Sequence, residues 1–345
     1  MEIEELNSKL KIIVYDEAYK KYGKLLPENI KIRIEKELKS IIENEFAEIY
    51  IITYKIVNIV KKNGYIVGNR GAMGSSLVAY FLGIVEVNPV EYNIAFETFS
   101  SYDNHREPDI ALCVPYNYKK QLEKYIEDTY LERTTFRIYE SSIPMILYRL
   151  KELTGIDPIS IPLDDEETIN MICSADTSRI PELETELARN IILETHPTTF
   201  EDLVKIYGLL KGTDTWENNA QDLIKARTAT LGEVICCRDD IMNYLISIGI
   251  DDETAFKIME FIRKGRARKE NWQDEWKEFV RIMQEHNVPN WYIKSCEKIS
   301  YLFPRAHIVG YVINNFRIAW YKAHYKTEFE NTILKYNNTT DIDEL

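Results

Sequence analysis

What this chain has little of narrows it first. Five cysteines occur in 345 residues (Cys113, Cys173, Cys236, Cys237 and Cys296), an odd number with no C-x-x-C pair. That leaves no disulfide framework and no zinc-ligand spacing, so a reduced, cytoplasmic protein without zinc is expected. There is no run of the ~18 uninterrupted apolar residues that would cross a bilayer, so no membrane partner is expected. The opening MEIEELNSKLKIIVYDEAY is acidic and its apolar run is short, unlike a secretory leader. Positive charge is in deficit. The 43 Lys and Arg face 56 Asp and Glu, for a net charge of −13, which argues against a nucleic-acid footprint spread over the whole surface. A local basic groove stays open. What is present, 45% hydrophobic and 29% charged residues, suits a globular fold of one large domain or two ordinary ones.

Along the chain, LPENIKIRIEKELKSIIENEF reads as a helix. Pro27 suits the first turn, Glu28 the positive helix end, and Ile30, Ile34, Leu38 and Ile41 recur at three- and four-residue steps. AEIYIITYKIVNIVKKNG is apolar almost throughout and stops at Asn63-Gly64. Periodicity leaves it open between a buried strand and a buried helix. SSLVAYFLGI reads as a helix closed by Gly83. FETFSSYDNHREPDIALCV reads as a short element, a polar turn and a strand from about Pro108 to Val114. From about Ser141 the texture becomes short amphipathic helices cut by Pro, Gly and Asp-rich breaks, with no internal repeat. The tail KYNNTTDIDEL is polar, and fraying is expected there. The fold class expected is α+β, an α/β portion to about residue 140 followed by an all-helical one.

Between the first apolar runs lies VGNRGAMGSS. Its glycines permit φ > 0 and a close approach of backbone N–H groups to an anion. Ser75 and Ser76 add hydroxyls and would cap the next helix, and Arg70 adds a forked cation. The spacing is neither G-x-x-x-x-G-K-[ST] nor G-x-G-x-x-G. Alone, the loop reads equally as a phosphate cradle and as a plain strand–turn–helix junction.

Taken with its neighbours, the loop is more specific. YKKYGKLLPENIKIRIEKELKSIIENEFAEIYIITYKIV and GYIVGNRGAMGSSLVAYFLGIVEVNP resemble the start of the palm of PolC-type DNA polymerase III alpha subunits. The resemblance resumes at FETF and EPDIALCV. It then runs through LTGIDPISIPLDDEE, THPTTFEDLVKIYGLLKGTDTWENNAQDLI, TATLGEVICCRDDIMNYLI, TAFKIMEFIRKGRA and EHNVPNWYIKSCEKISYLFPRAHIVGYVINNFRIAWYKAHY, which match the fingers of that family. It covers about residues 14 to 326. It implies a trimmed palm of mixed β-sheet and helices, nucleotidyltransferase-like, over residues 1–140. Helical fingers over 141–330 and a polar tail over 331–345 would follow. The family's four-cysteine insertion before FETF, and a long palm and thumb block between YIEDTYLE and TTFRI, have no counterpart.

The resemblance also implies roles. Gly68, Arg70, Gly71, Gly74, Ser75 and Ser76 match the loop that cradles the incoming triphosphate. Arg263, Lys264 and Arg266 of RKGRARK and Arg305 and His307 of FPRAHIVGY match basic fingers residues facing it. Family polymerases hold Mg²⁺ ions with aspartates, two of them in a D-x-D strand pair whose i and i+2 side chains share a face. Asp109 stands at the first position, Ala111 at the second, and Arg137 replaces the third. Two of three ligands are thus lost, leaving Asp109 as a remnant metal and catalytic residue at which Mg²⁺ would bind weakly. Glu107 and Asp109 form an alternative acid pair.

The expected function is a catalytically inactive or impaired relative that binds a nucleoside triphosphate, DNA or replisome proteins in a bacterial cytoplasm, at the nucleoid if DNA-bound. The alternatives are an active polymerase or other nucleotidyltransferase using Glu107 and Asp109, or an interaction module that inhibits a replisome. Elsewhere, His307 reads equally as a phosphate contact and a core group. Asp214 and Trp216 read as nucleic-acid contacts or, more simply, packing. Cys236 and Cys237 read as packing, and Asp164-Asp165 and Asp239-Asp240 as acidic helix starts.

Overall fold

The computed structural model describes residues 3–101, 107–129 and 136–336. In chain order the elements are α1 (Ile3–Tyr22), α2 (Glu28–Glu43), α3 (Ala47–Lys61), β1 (Gly68–Arg70), α4 (Leu77–Phe81), α5 (Glu97–Ser100), β2 (Ile110–Val114), α6 (Lys119–Thr129), β3 (Phe136–Glu140) and α7 (Ile143–Thr154). There follow α8 (Glu166–Cys173), α9 (Glu186–Thr195), α10 (Phe200–Lys211), α11 (Gln221–Lys225), α12 (Arg238–Ser247), α13 (Asp252–Ile262), α14 (Gln273–Glu285), α15 (Asn290–Lys298), α16 (Arg305–His324) and α17 (Lys326–Tyr336). Two compact units result, 1–161 with 320–345, and 162–319. The fold is α+β. Among the described residues no helix is long and apolar enough to cross a membrane.

In the first unit, three helices wrap the sheet's support. α1 buries Leu6, Leu10, Val14 and Ala18, a strict four-residue stripe. α2 buries Ile30, Ile34, Leu38 and Ile41 as its spacing predicts, with Glu37 among them. The segment left open by periodicity is α3, a helix apolar on most sides, with nine of its fifteen residues buried. A helix of that kind is a core helix, and α1 packs on it. Ser76 caps α4 by accepting from Ala79 N, and Gly83, at φ 64°, follows its end.

The sheet has three strands in the order β1-β2-β3. β1 and β2 are antiparallel, with Gly68 opposite Cys113 and Arg70 opposite Ala111. β2 and β3 are parallel, with Ala111 opposite Arg137 and Cys113 opposite Tyr139. A parallel pair needs a crossover, and α6 supplies it, packing against β3. β2 begins at Ile110 rather than Pro108, because proline has no N–H to give the ladder. The polar turn read from the sequence falls on residues 102–106, outside the described residues.

α7 ends at Gly155, whose φ of 75° closes it. It belongs with the first unit. α17 packs against it, and the Tyr321 hydroxyl donates to the Ile156 carbonyl at 2.7 Å. α17 reaches Tyr336 and buries Phe329, Thr332 and Ile333. The first six residues of the segment read as a polar tail are therefore helical, while 337–345 lie outside the described residues. The second unit is all helical, as expected. Its starts carry caps: Asp165 on α8, Thr185 on α9, a Thr199–Asp202 capping box on α10, and Asp251 on α13.

Candidate functional site

Side chains alternate across a strand, so the register puts Arg70, Ala111 and Arg137 in one row across the three strands. The next row is Gly68, Cys113 and Tyr139. Gly68 is required there, because a Cβ would lie 2.9 Å from the Cβ of Cys113. Ala111 is buried and offers no donor atom. Arg137 extends from β3 and forms an ion pair through Nη2 with Asp109, the residue just before β2, both side chains being about half exposed. The Arg70 guanidinium lies 4.2 Å from the ring centre of Tyr139, which fixes it above the sheet. Glu107 is exposed. The Asp109 carboxylate is thus already paired, and a second guanidinium, Arg70, shares the row of Arg137.

The glycine-rich loop has a different surprise. Ser75 and Ser76 are fully buried. Ser75 Oγ bonds Thr98 Oγ1 at 2.9 Å, and its carbonyl accepts from Arg33 Nη2 at 2.7 Å. Ser76 Oγ donates to Glu37 at 2.8 Å while accepting from Ala79 N and the Tyr50 hydroxyl. The Glu37 carboxylate, wholly buried, also accepts from Leu77 N at 2.9 Å and Val78 N at 3.0 Å, and Arg33 Nε donates to it at 2.5 Å. An internal carboxylate therefore occupies the donors at the start of α4 that sequence reasoning offered to a phosphate. Glu37 was missed, although a signal existed. It stands three residues after Ile34 and four before Ile41, on the apolar stripe of α2. Of the loop glycines, Gly71 has φ 82°, a value that favours glycine. Gly74 lies in a buried 3₁₀ turn.

In the helical unit each predicted basic residue already has a partner or a packing contact within the unit. Arg263 Nη2 donates to Glu260 at 2.8 Å, and Lys264 pairs with the same carboxylate at 2.9 Å. Burial pushes Glu260 up, but Arg263, Lys264 and Arg238 outweigh it and hold its pKa at about 2. Arg266 stacks on Trp272 at 4.3 Å, and Arg268 binds Asp214 and Ser300. Arg305 is buried, and its Nη2 donates to both carboxylate oxygens of Glu201, 2.6 Å to each. Asp240 pairs with Lys205 at 2.9 Å and accepts from Cys236 N and Cys237 N, while Asp239 accepts from Arg305 N at the start of α16. Burial raises Asp240, and Lys205 and Arg305 bring it below its usual range. His307 is buried between Phe303 and Tyr311. Trp216 is buried, and burial drives both the Cys236 and Cys237 thiols well up, away from thiolate chemistry.

Two family models match this chain. The bacterial DNA polymerase III alpha NTPase domain matches residues 8–143, and the bacterial DNA polymerase III alpha subunit finger domain matches 141–287. The chain belongs to the bacterial DNA polymerase III alpha family. Among its relatives, a PolC-type DNA polymerase III of Caldanaerobacter subterraneus is 30% identical over 482 residues, covering 96% of this chain and 34% of that protein. The PolC-type enzymes of Thermotoga maritima and Bacillus subtilis are each 31% identical, over 95% and 94% of this chain and 34% and 33% of theirs. The chain spans about a third of the length of the curated relatives it matches. The aligned stretch with the first of these is longer than this entire chain, so internal blocks of that relative face gaps here.

Family chemistry makes a divalent metal the natural tenant of the sheet face. The donor set does not suit one. Ala111 supplies no ligand atom, Asp109 is held by Arg137, and a second guanidinium shares the row. Among the described residues, no group of three or more His, Cys, Asp or Glu side chains is arranged to hold a metal ion.

Proposed function

We propose that this polymerase III alpha relative is catalytically inactive or impaired and binds a nucleoside triphosphate on the β1-β2-β3 face, with DNA or replisome proteins as further partners in a bacterial cytoplasm. The observation that carries the reading is the row Arg70–Ala111–Arg137 with Asp109 paired to Arg137. Phosphoryl transfer rests on electrostatic stabilisation of charge that develops in the transition state. With Asp109 held by Arg137 and no donor atom on Ala111, this face is poorly equipped to assemble the cations that supply it. It retains fixed guanidiniums, which suit phosphate. Gly68 and Arg70 sit directly on this face. Gly71, Gly74, Ser75 and Ser76 act by shaping the loop, and Arg263, Lys264, Arg266, Arg305 and His307 by holding the helical unit together.

Primer extension on a primed template with Mg²⁺ or Mn²⁺ tests the catalytic half. No extension is expected. Synthesis that Asp109→Ala abolishes would restore the polymerase reading, with Glu107 as second acid. Thermal denaturation with each dNTP and NTP tests the binding half, since a ligand specific to the native state raises its melting temperature. Absence of any shift counts against it.

A further inference from the structure

We propose that the sheet face takes the triphosphate of a nucleotide without a divalent cation, the Arg137 guanidinium replacing the metal's charge. This rests on the reading above that the face binds a nucleotide, and goes beyond it in naming how the phosphate charge is met.

Three observations converge. First, Ala111 lies between Arg70 and Arg137 in register, so two cationic side chains flank a buried position that offers no donor atom. Second, the backbone donors that a loop–helix junction would offer to phosphate, Leu77 N and Val78 N, are held by Glu37, and α4 is only five residues long. The junction therefore adds little, and the balance of charge falls on side chains of the sheet. Third, Arg70 is already fixed over Tyr139, and Arg137 is held toward the same face by Asp109. Fixed guanidiniums lose little freedom when a phosphate arrives.

The arrangement inverts the role of Asp109. In a metal-holding site this carboxylate recruits the cation, and removing it weakens binding of the metal-bound nucleotide. Here it competes with the phosphate for Arg137. Removing its charge frees the guanidinium and lifts a repulsion, so binding tightens.

Isothermal titration of the full chain with dATP, and separately with inorganic tripolyphosphate, decides the matter when run in EDTA and in excess Mg²⁺. Binding in EDTA is expected to be at least as tight as in Mg²⁺. In EDTA, Arg137→Gln should weaken it by about tenfold or more, and Asp109→Asn should tighten it by roughly threefold. Both side chains are half exposed, so the variants keep the fold, which their melting curves check. Binding that needs Mg²⁺ and falls in Asp109→Asn overturns the inference and leaves the nucleotide reading intact. Metal-free binding that Arg137→Gln does not change also overturns it. No binding of either probe in either buffer overturns both.

Discussion

The arginines of the sheet face and those of the helical unit look alike in the sequence and have opposite fates. Arg70 and Arg137 share one row of the sheet, and Arg137 pairs with the half-exposed Asp109. Arg263 and Arg305 are drawn into the helical unit and matched there by Glu260, Glu201 and Asp240. Under the proposed function, the same side chain is a recognition group in one place and a structural strut in the other. Both sets meet acids, and what differs is the setting: the Arg137–Asp109 pair is about half exposed, whereas Arg263 and Arg305 are largely buried. Neutralisation is local for Arg263, whose partner Glu260 stands three residues earlier, and distant for others. The partners of Arg305 and Arg268 come from 104 and 54 residues away.

That contrast can be broken by experiment, beginning where it should be strongest. Asp240→Ala leaves the buried Lys205 without its partner and removes the cap of α12. A loss of about 3–5 kcal/mol in urea unfolding is expected, and a loss below 1 kcal/mol would deny the strut role. Glu37→Ala comes next, because it strips Ser76, Leu77 N, Val78 N and Arg33 of their shared acceptor. Its expected cost is about 2–4 kcal/mol, with proteolysis appearing first in the Gly68–Ser76 loop.

The third test is a pH series. The Glu260 carboxyl is lowered from its ordinary 4.5 to about 2. A depressed acid contributes stability that is fully present above its unfolded pKa and is lost as pH falls through the folded one. The contribution is about 2–3 kcal/mol after allowance for partial exposure. The stability gap between the parent and Glu260→Gln should therefore hold at pH 6–7 and close between pH 4.5 and 2. A gap independent of pH would mean that Glu260 acts by packing alone. The smallest effect belongs to the sheet face. Asp109→Ala should change stability by less than about 1 kcal/mol, since an exposed pair gains little from its charges. A large loss would make that pair a strut as well and erase the comparison.

How much of this could be read beforehand follows the same division. Local chemistry was legible: the Ser76 cap, the Gly83 stop and the apolar stripe of α2 are each set by a few neighbouring residues. The row of the candidate site was legible in part, because Asp109 and Ala111 are two apart on one stretch of chain. That Arg137 lies opposite Ala111 needs the parallel register, which no local pattern fixes. For Arg305 and Arg268 the sequence shows the basic residue but not the distant acid that pairs with it. The long apolar stretch of α3 stayed ambiguous because a helix buried on most sides loses the periodicity that would mark it.

One feature bears on how the molecule is made. The first compact unit includes residues from both ends of the chain, with α17 packed against α7 and Tyr321 bonded to Ile156. On the ribosome its sheet and first seven helices emerge long before α17 does. The apolar side of α7 must wait uncovered while the whole helical unit is synthesised. Cutting the chain after residue 161 to isolate the palm-like unit would leave it permanently at that stage.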